Sequence, residues 1–337
     1  MLFIPHKHLY ISDASYISTD EPDYKEVITD ANSRRRMGRL LKMAVWCGLK
    51  SLDGVPSERV AGIITSTGAG FMKDTISFGS SIFDREETLL NPSPFMQSTF
   101  NTASGYIALI RKIHAYNTTY VQRADGFAAS VIDAAMLLDD AGEGNVALVG
   151  AFDEVTPEVD VIRQRLGLYR VGDGFLPLGE GAAAFLLSAA IPTDSSASCR
   201  AAESSTGLGG DDGSESDSRP CDEFGSESSS EPLHESGGTS SRSLNGTNDG
   251  NAALRFCGLA NLSDLPECAE NPIAELFGIN ACVNVISCAD HVESLGAFRS
   301  LLPVLLCKLI SEQQIPDGYT AIVDDVNEDG VIVLLHK

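Results

Sequence analysis

Positive charge is what this chain has least of. Its 337 residues carry 24 Lys and Arg against 47 Asp and Glu, a formal net charge of −23. Such a surface repels a phosphate backbone, which argues against nucleic acid as a partner. Long apolar runs are also missing, so no membrane-spanning helix is expected. The opening MLFIPHKHLYIS has neither the basic start nor the apolar length of a secretory signal, and a cytoplasmic protein is expected. Cysteine is present without the spacing that would give it a job. Cys47, Cys199, Cys221, Cys257, Cys268, Cys282, Cys288 and Cys307 form no CxxC pair, which excludes a zinc knuckle or a disulfide ladder. Most sit among apolar neighbours, as in VWCGL and VLLCKL, and read as reduced core residues. Neither a metal nor a cofactor is expected.

What is there divides into three parts. Residues 191–251 are rich in Ser, Gly, Asp and Glu, with twelve acidic residues against three Arg. Such a stretch buries too little apolar area to offset ordering entropy, so a disordered insertion is expected. It reads as an inert loop extension, since long loops add little closure cost. It separates an ordered portion, 1–190, from a shorter one, 252–337.

Both portions alternate strands and helices. HLYISDASYIS, AGIITSTGAGF, TTYV, NVALVGAFDEV and GEGAAAFLLSAA read as strands of the first portion. Met37, Leu40, Leu41, Ala44, Val45 and Leu49 fall at helical spacing, predicting one helix over 34–50. Arg34, Arg35, Arg36, Arg39 and Lys42 crowd its beginning and read as a solvated helix end. NTASGYIALIRKIHAYN and AASVIDAAMLLDDAG read as further helices. In the second portion LRFCGLANL and ACVNVISCA read as strands. HVESLGAFRSLLPVLLCKLIS reads as one long helix disturbed at Pro303, and AIVDDVNEDGVIVLLHK as a hairpin. The alternation implies a layered α/β fold.

Three pieces then occur in order. The first is TTYVQRADGFAASVIDAAMLLDDAGEGNVALVG: strand, sharp turn, Ala-rich helix, buried strand. It runs on into the AFDE turn that ends at Glu154. The second is a Gly-Phe-x-x-x-Gly-Glu-Gly-Ala stretch at Gly174, Phe175, Gly179, Glu180, Gly181 and Ala182. The third is SCADHVESLGAF. Together they resemble the β-ketoacyl synthase family, closely over Ile11 to Ser188 and faintly beyond. The resemblance implies a thiolase-like layered α/β/α/β/α fold of two pseudo-repeated halves, the second shortened. It also implies acyl transfer by a cysteine thiolate at the strand-to-helix elbow, with two histidines helping.

The site the family would use is degenerate here. The nucleophile position falls at Arg123 or Ala124, and neither attacks a thioester. No Ala-His-Gly-Thr-like turn supplies the first histidine. The second is retained at most as His291, with Asp290 where a glycine is usual and no preceding lysine. The family's Gly-rich C-terminal turn reads DDVNEDG. Glu180 and Asp153 read as structural turn-formers. Thr65–Gly70 reads as helix-to-strand packing rather than a ligand cradle. Cys288, three residues before His291, is a pair in sequence only.

Chain-length factors are catalytically silent members of this fold that pair with an active ketosynthase. FMQSTFNTASGYIAL with YNTTYVQR is especially similar to short ketosynthase-like proteins of aryl-polyene and flexirubin-type clusters. The expectation is a non-catalytic subunit in fatty-acid or polyene/polyketide assembly. It would form a heterodimer with an active β-ketoacyl synthase through Thr118, Thr119, Tyr120 and Val121, and contact acyl carrier protein only indirectly. Two alternatives stay open. One is a divergent acyl-carrier-protein acyltransferase, decarboxylase or β-ketoacyl synthase using His291, with Cys288 as nucleophile. The other is a homodimer of this fold with no acyl ligand.

Overall fold

The computed structural model describes residues 1–122, 125–190, 253–266 and 269–337. The expected disordered insertion, 191–251, lies outside them. The described residues fall in one compact unit. None of their helices is long and apolar enough to cross a membrane.

The first half runs β1 (Leu2–Phe3), β2 (Leu9–Ile17), α1 (Ala31–Arg36), α2 (Arg39–Ser51), β3 (Val60–Thr67), α3 (Met72–Asp84), α4 (Pro92–Ser98) and α5 (Thr102–Arg111). It continues with β4 (Tyr116–Val121), α6 (Asp125–Ala141), β5 (Val146–Asp153), α7 (Pro157–Leu166), β6 (Arg170–Val171), β7 (Gly174–Phe175) and β8 (Gly181–Ser188). The second half runs β9 (Arg255–Asn261), α8 (Pro272–Leu276), β10 (Val283–Ser287), α9 (Val292–Leu295), α10 (Leu301–Ser311), β11 (Tyr319–Val323) and β12 (Val331–His336).

The sheet order is β10-β11-β12-β9-β2-β8-β5-β3-β4, with β1 on β9. The halves repeat one pattern. In the first, β3 runs parallel to β4 and β5, and β8 is antiparallel to both β5 and β2. In the second, β10 is parallel to β11, and β12 is antiparallel to both β11 and β9. Among the described residues the second half lacks a counterpart of β4, so it is the shortened repeat. The halves join where Leu9 pairs with Phe256 and Tyr10 with Arg255.

Side-chain alternation builds the layers. On β8, Ala183, Phe185 and Leu187 face the core that holds α6 and α10, while Ala182, Ala184 and Leu186 face the core that holds α2. On β12, Val331, Val333 and Leu335 face the α6/α10 core, and Ile332 and Leu334 face a smaller core under α8. Both faces are covered, which is why these strands read as near-continuous apolar runs. The order is therefore α2, sheet, α6 and α10, sheet, α8: an α/β fold of thiolase-like layering.

Two helix expectations are corrected. The helix expected over 34–50 is broken at Met37–Gly38, with Gly38 capping α2. The Gly38 amide donates to Gln97 Oε1 at 2.8 Å, a long-range contact at the break. The long helix over 291–311 is interrupted at Gly296, not at Pro303. Gly296 has φ +76°, and a Cβ there would come within 2.3 Å of the Gly179 nitrogen. Pro303 sits in the first turn of α10, where no intrahelical amide bond is lost.

Candidate functional site

The site end of the fold is where β3, β4, β5, β10 and β11 finish. The elbow follows β4. Gln122 and the first residues of α6 are described; Arg123 and Ala124, the expected nucleophile position, lie outside the described residues. Gly126 lets α6 approach β3, since a Cβ there would lie 3.3 Å from Ser66 Cβ. Asp125 takes the first turn of α6, where the positive end of the helix favours a carboxylate. Burial and the nearby Asp329 push its carboxyl upward. The helix end that would acidify a thiol in an active elbow therefore faces carboxylates.

The turn between β11 and β12 is held from inside. Asp324 Oδ1 accepts from the amides of Val326 (3.2 Å) and Asn327 (3.1 Å), and Oδ2 accepts from Asn327 Nδ2 (2.8 Å). Asn327 Oδ1 accepts from the Tyr169 hydroxyl at 2.9 Å. A Cβ on Gly330 would lie 1.9 Å from the Asp324 carbonyl oxygen, so the glycine closes the turn. Asp325 accepts from Ser287 Oγ (2.5 Å) and from the Ala289 amide (2.9 Å), which anchors the segment leading to His291.

His291 is partly buried at the N-terminus of α9. Its ring has no hydrogen-bond partner among the described residues. Cys288 is 0% exposed. Burial, then Asp324 and Asp325, pushes its thiol well above the usual range. A sealed thiol facing two carboxylates is a poor nucleophile. Cys47 and Cys307 are likewise fully buried with raised thiols, and Cys257 is also raised. Cys282 is exposed but precedes β10, at the opposite end of the sheet from the elbow.

Asp153, at the end of β5, organises this end of the molecule. Its Oδ1 accepts from Thr67 Oγ1 (3.0 Å) and the amides of Gly68 (2.9 Å) and Ala69 (3.1 Å). Its Oδ2 accepts from Ser300 Oγ at 2.6 Å. Burial pushes its carboxyl up, and the four donors pull it down. The Thr65–Gly70 run is thus the end of β3 and a turn closed on Asp153, and Ser300 ties the second half to the first. Glu180 is also structural. It pairs with Arg39, and its Oε2 accepts from the Val155 amide at 3.1 Å. Arg39 also pairs with Glu21, and Arg34 donates to the carbonyls of Ile28 and Thr29, while Arg35 and Arg36 are exposed.

The second and third sequence motifs meet directly. Leu178 bridges Ala297, and the Gly179 amide donates to the Ala297 carbonyl at 3.2 Å. A Cβ on Gly179 would lie 1.9 Å from the Leu295 carbonyl oxygen. These glycines serve backbone packing.

β4 is a sheet edge, paired with β3 alone among the described residues. Thr119 turns inward, with Oγ1 2.8 Å from Thr65 Oγ1. The hydroxyls of Tyr116 and Tyr120 both donate to Asp133, and Val121 is exposed.

Residues 13–168 match the family model described as β-ketoacyl synthase, N-terminal domain, so the resemblance seen in the sequence holds over that stretch. No curated protein sequence matches the chain. Solved structures share its fold. One is the ishigamide ketosynthase/chain length factor, at 13% identity over 98% of this chain and 99% of that one, TM-score 0.61. Another is a type II polyketide synthase acyl-carrier protein in complex with its ketosynthase, at 14% over 98% and 99%, TM-score 0.59. A third is a β-ketoacyl synthase from Burkholderia phymatum STM815, at 10% over 98% and 98%, TM-score 0.59.

Proposed function

We propose that this chain is a non-catalytic, chain-length-factor-type subunit that pairs with an active β-ketoacyl synthase. The elbow carries the reading. It keeps its strand and its helix, but has no Cys or Ser from Gln122 to Gly126, and it opens α6 with Asp125 beside Asp329. No described cysteine offers a substitute, which weighs against the enzyme reading built on Cys288 and His291.

The pairing surface we assign is β4, with Thr118, Thr119, Tyr120 and Val121. An open edge strand invites a partner strand across a twofold. Exposed apolar side chains on β4 and on α5 beside it support this: Tyr116 on β4 and Leu109 on α5. The partner would supply the thiolate and the main dock for acyl carrier protein, whose acidic surface this acidic chain repels. The same reading makes 1–190 and 252–337 two halves of one subunit, working in the cytoplasm in fatty-acid, polyketide or aryl-polyene assembly.

Co-expression with candidate ketosynthases tests it. The expected result is a one-to-one complex that Val121→Asp weakens, and no malonyl-carrier decarboxylation by the isolated chain. Recovery only as a homodimer, or decarboxylation by the isolated chain that His291→Ala abolishes, would overturn it.

A further inference from the structure

A second concavity lies at the opposite end of the sheet. It opens where β11 begins at Tyr319, whereas the elbow end is where β11 finishes at Val323. The cleft holds about 480 Å³. That volume lies within the roughly 300–1,000 Å³ common for small-molecule sites. Its walls come from the segment before β2, the start of β9, the end of α8 and the start of β11.

The chemistry of the lining departs from the rest of the chain. Acidic residues outnumber basic ones almost two to one overall, 47 to 24. Yet among the described residues the lining contains His6, Lys7, His8 and Arg255 and no Asp or Glu. Lys7 is turned aside, since its Nζ donates to the Asp139 carbonyl at 2.8 Å. Arg255 is not. Its Nη1 lies 3.3 Å from His8 Nδ1, it also interacts with the Cys257 thiol, and it has no carboxylate partner among the described residues. Its planar fork suits a carboxylate or phosphate. Phe277 and Tyr319 also line the cleft. Tyr319 is braced edge-on by His336, with ring centroids 4.5 Å apart.

We propose that this cleft binds a small organic anion: a carboxylate or phosphate monoester with a flat apolar body. Arg255, with His8 beside it, takes the anionic group. Phe277 and Tyr319 take the body. The site is separate from the elbow and stands whether or not the chain pairs with a ketosynthase.

Calorimetric titration of the full chain with phenyl phosphate tests this. Inorganic phosphate serves as charge without body, and benzyl alcohol as body without charge. Phenyl phosphate is expected to bind at least ten-fold more tightly than either. Arg255→Gln should weaken it at least ten-fold, and Arg255→Lys less. Arg36→Gln, at an exposed arginine on α1, should leave it unchanged. If Arg255→Gln fails to fold, His8→Gln and Phe277→Leu carry the test, each weakening phenyl phosphate at least three-fold. Equal binding of phenyl phosphate and inorganic phosphate would overturn the proposal. So would no binding of phenyl phosphate, or wild-type affinity in folded cleft variants.

Discussion

Replacing Asp153 by Ala should be among the most damaging single changes in the chain. The carboxylate is fully enclosed and accepts four hydrogen bonds: two from hydroxyls, Thr67 and Ser300, and two from the amides of Gly68 and Ala69. The hydroxyls can rotate towards other acceptors. The amides cannot, because the turn fixes them. Two orphaned buried amides at about 1–3 kcal/mol each give a loss of about 2–6 kcal/mol. That is a large share of the roughly 5–15 kcal/mol that stabilises a typical domain. Asp153→Asn should behave differently. Its carbonyl oxygen can keep the three donors of the Oδ1 side, and Ser300 can turn its hydroxyl to accept from the new amide. The loss should be about 1–2 kcal/mol, the charge assistance alone. Ser300→Ala removes the tie between halves and should couple to Asp153→Asn in a double-mutant cycle. Urea unfolding of wild type, the three single variants and the double variant reads these values. If Asp153→Ala costs under about 1 kcal/mol, the orphaned-amide argument is wrong. If Asp153→Asn is as damaging as Asp153→Ala, the assignment of three acceptor contacts to one oxygen is wrong.

Other outcomes follow from the same geometry. Burial raises Asp13 from 3.8 to about 7, with the Ala14 amide and Lys50 opposing and Asp53 adding. The folded chain therefore holds this proton more tightly than the unfolded chain, and its contribution falls as pH rises from about 4 through about 7. Asp13→Asn, which keeps an acceptor for the Ala14 amide, should match wild type near pH 4 and exceed it by about 2–4 kcal/mol at pH 8 in urea titrations. Gly179→Ala drives a methyl into the Leu295 carbonyl and should cost at least about 3 kcal/mol or prevent folding. Gly79→Ala, on α3 with nothing within 4 Å of the new Cβ, should instead raise stability by about 0.5–1 kcal/mol in thermal melts. Tyr169→Phe removes the 2.9 Å bond to Asn327 and should cost about 1 kcal/mol in urea unfolding.

What could be read from the sequence was what is local. The buried strands β5, β8 and β12 stand out because covered faces demand apolar residues on both sides, and the β11–β12 hairpin because its turn chemistry is adjacent. The break at Gly296 could not be read, since its partner, the Gly179 main chain, is distant in sequence. At the elbow, the absent nucleophile is visible in five consecutive letters. The role of Asp153 is not, because Ser300 stands 147 positions away. The basic cleft was missed for the same reason. Its lining is drawn from residues 4–8, 255–257, 277–281, 319 and 334, and no window of sequence contains it.

The contact between Gly179 and Gly296 has a consequence for how motifs are read. At each glycine the obstacle to a side chain is the other segment's main chain, so a change at one cannot be compensated by a change at the other. Both letters are thus fixed by geometry, whether or not a thiol works nearby. Gly-Glu-Gly-Ala looks like the signature of a condensing enzyme. In this molecule it is a strut, and backbone packing alone is enough to keep its spelling.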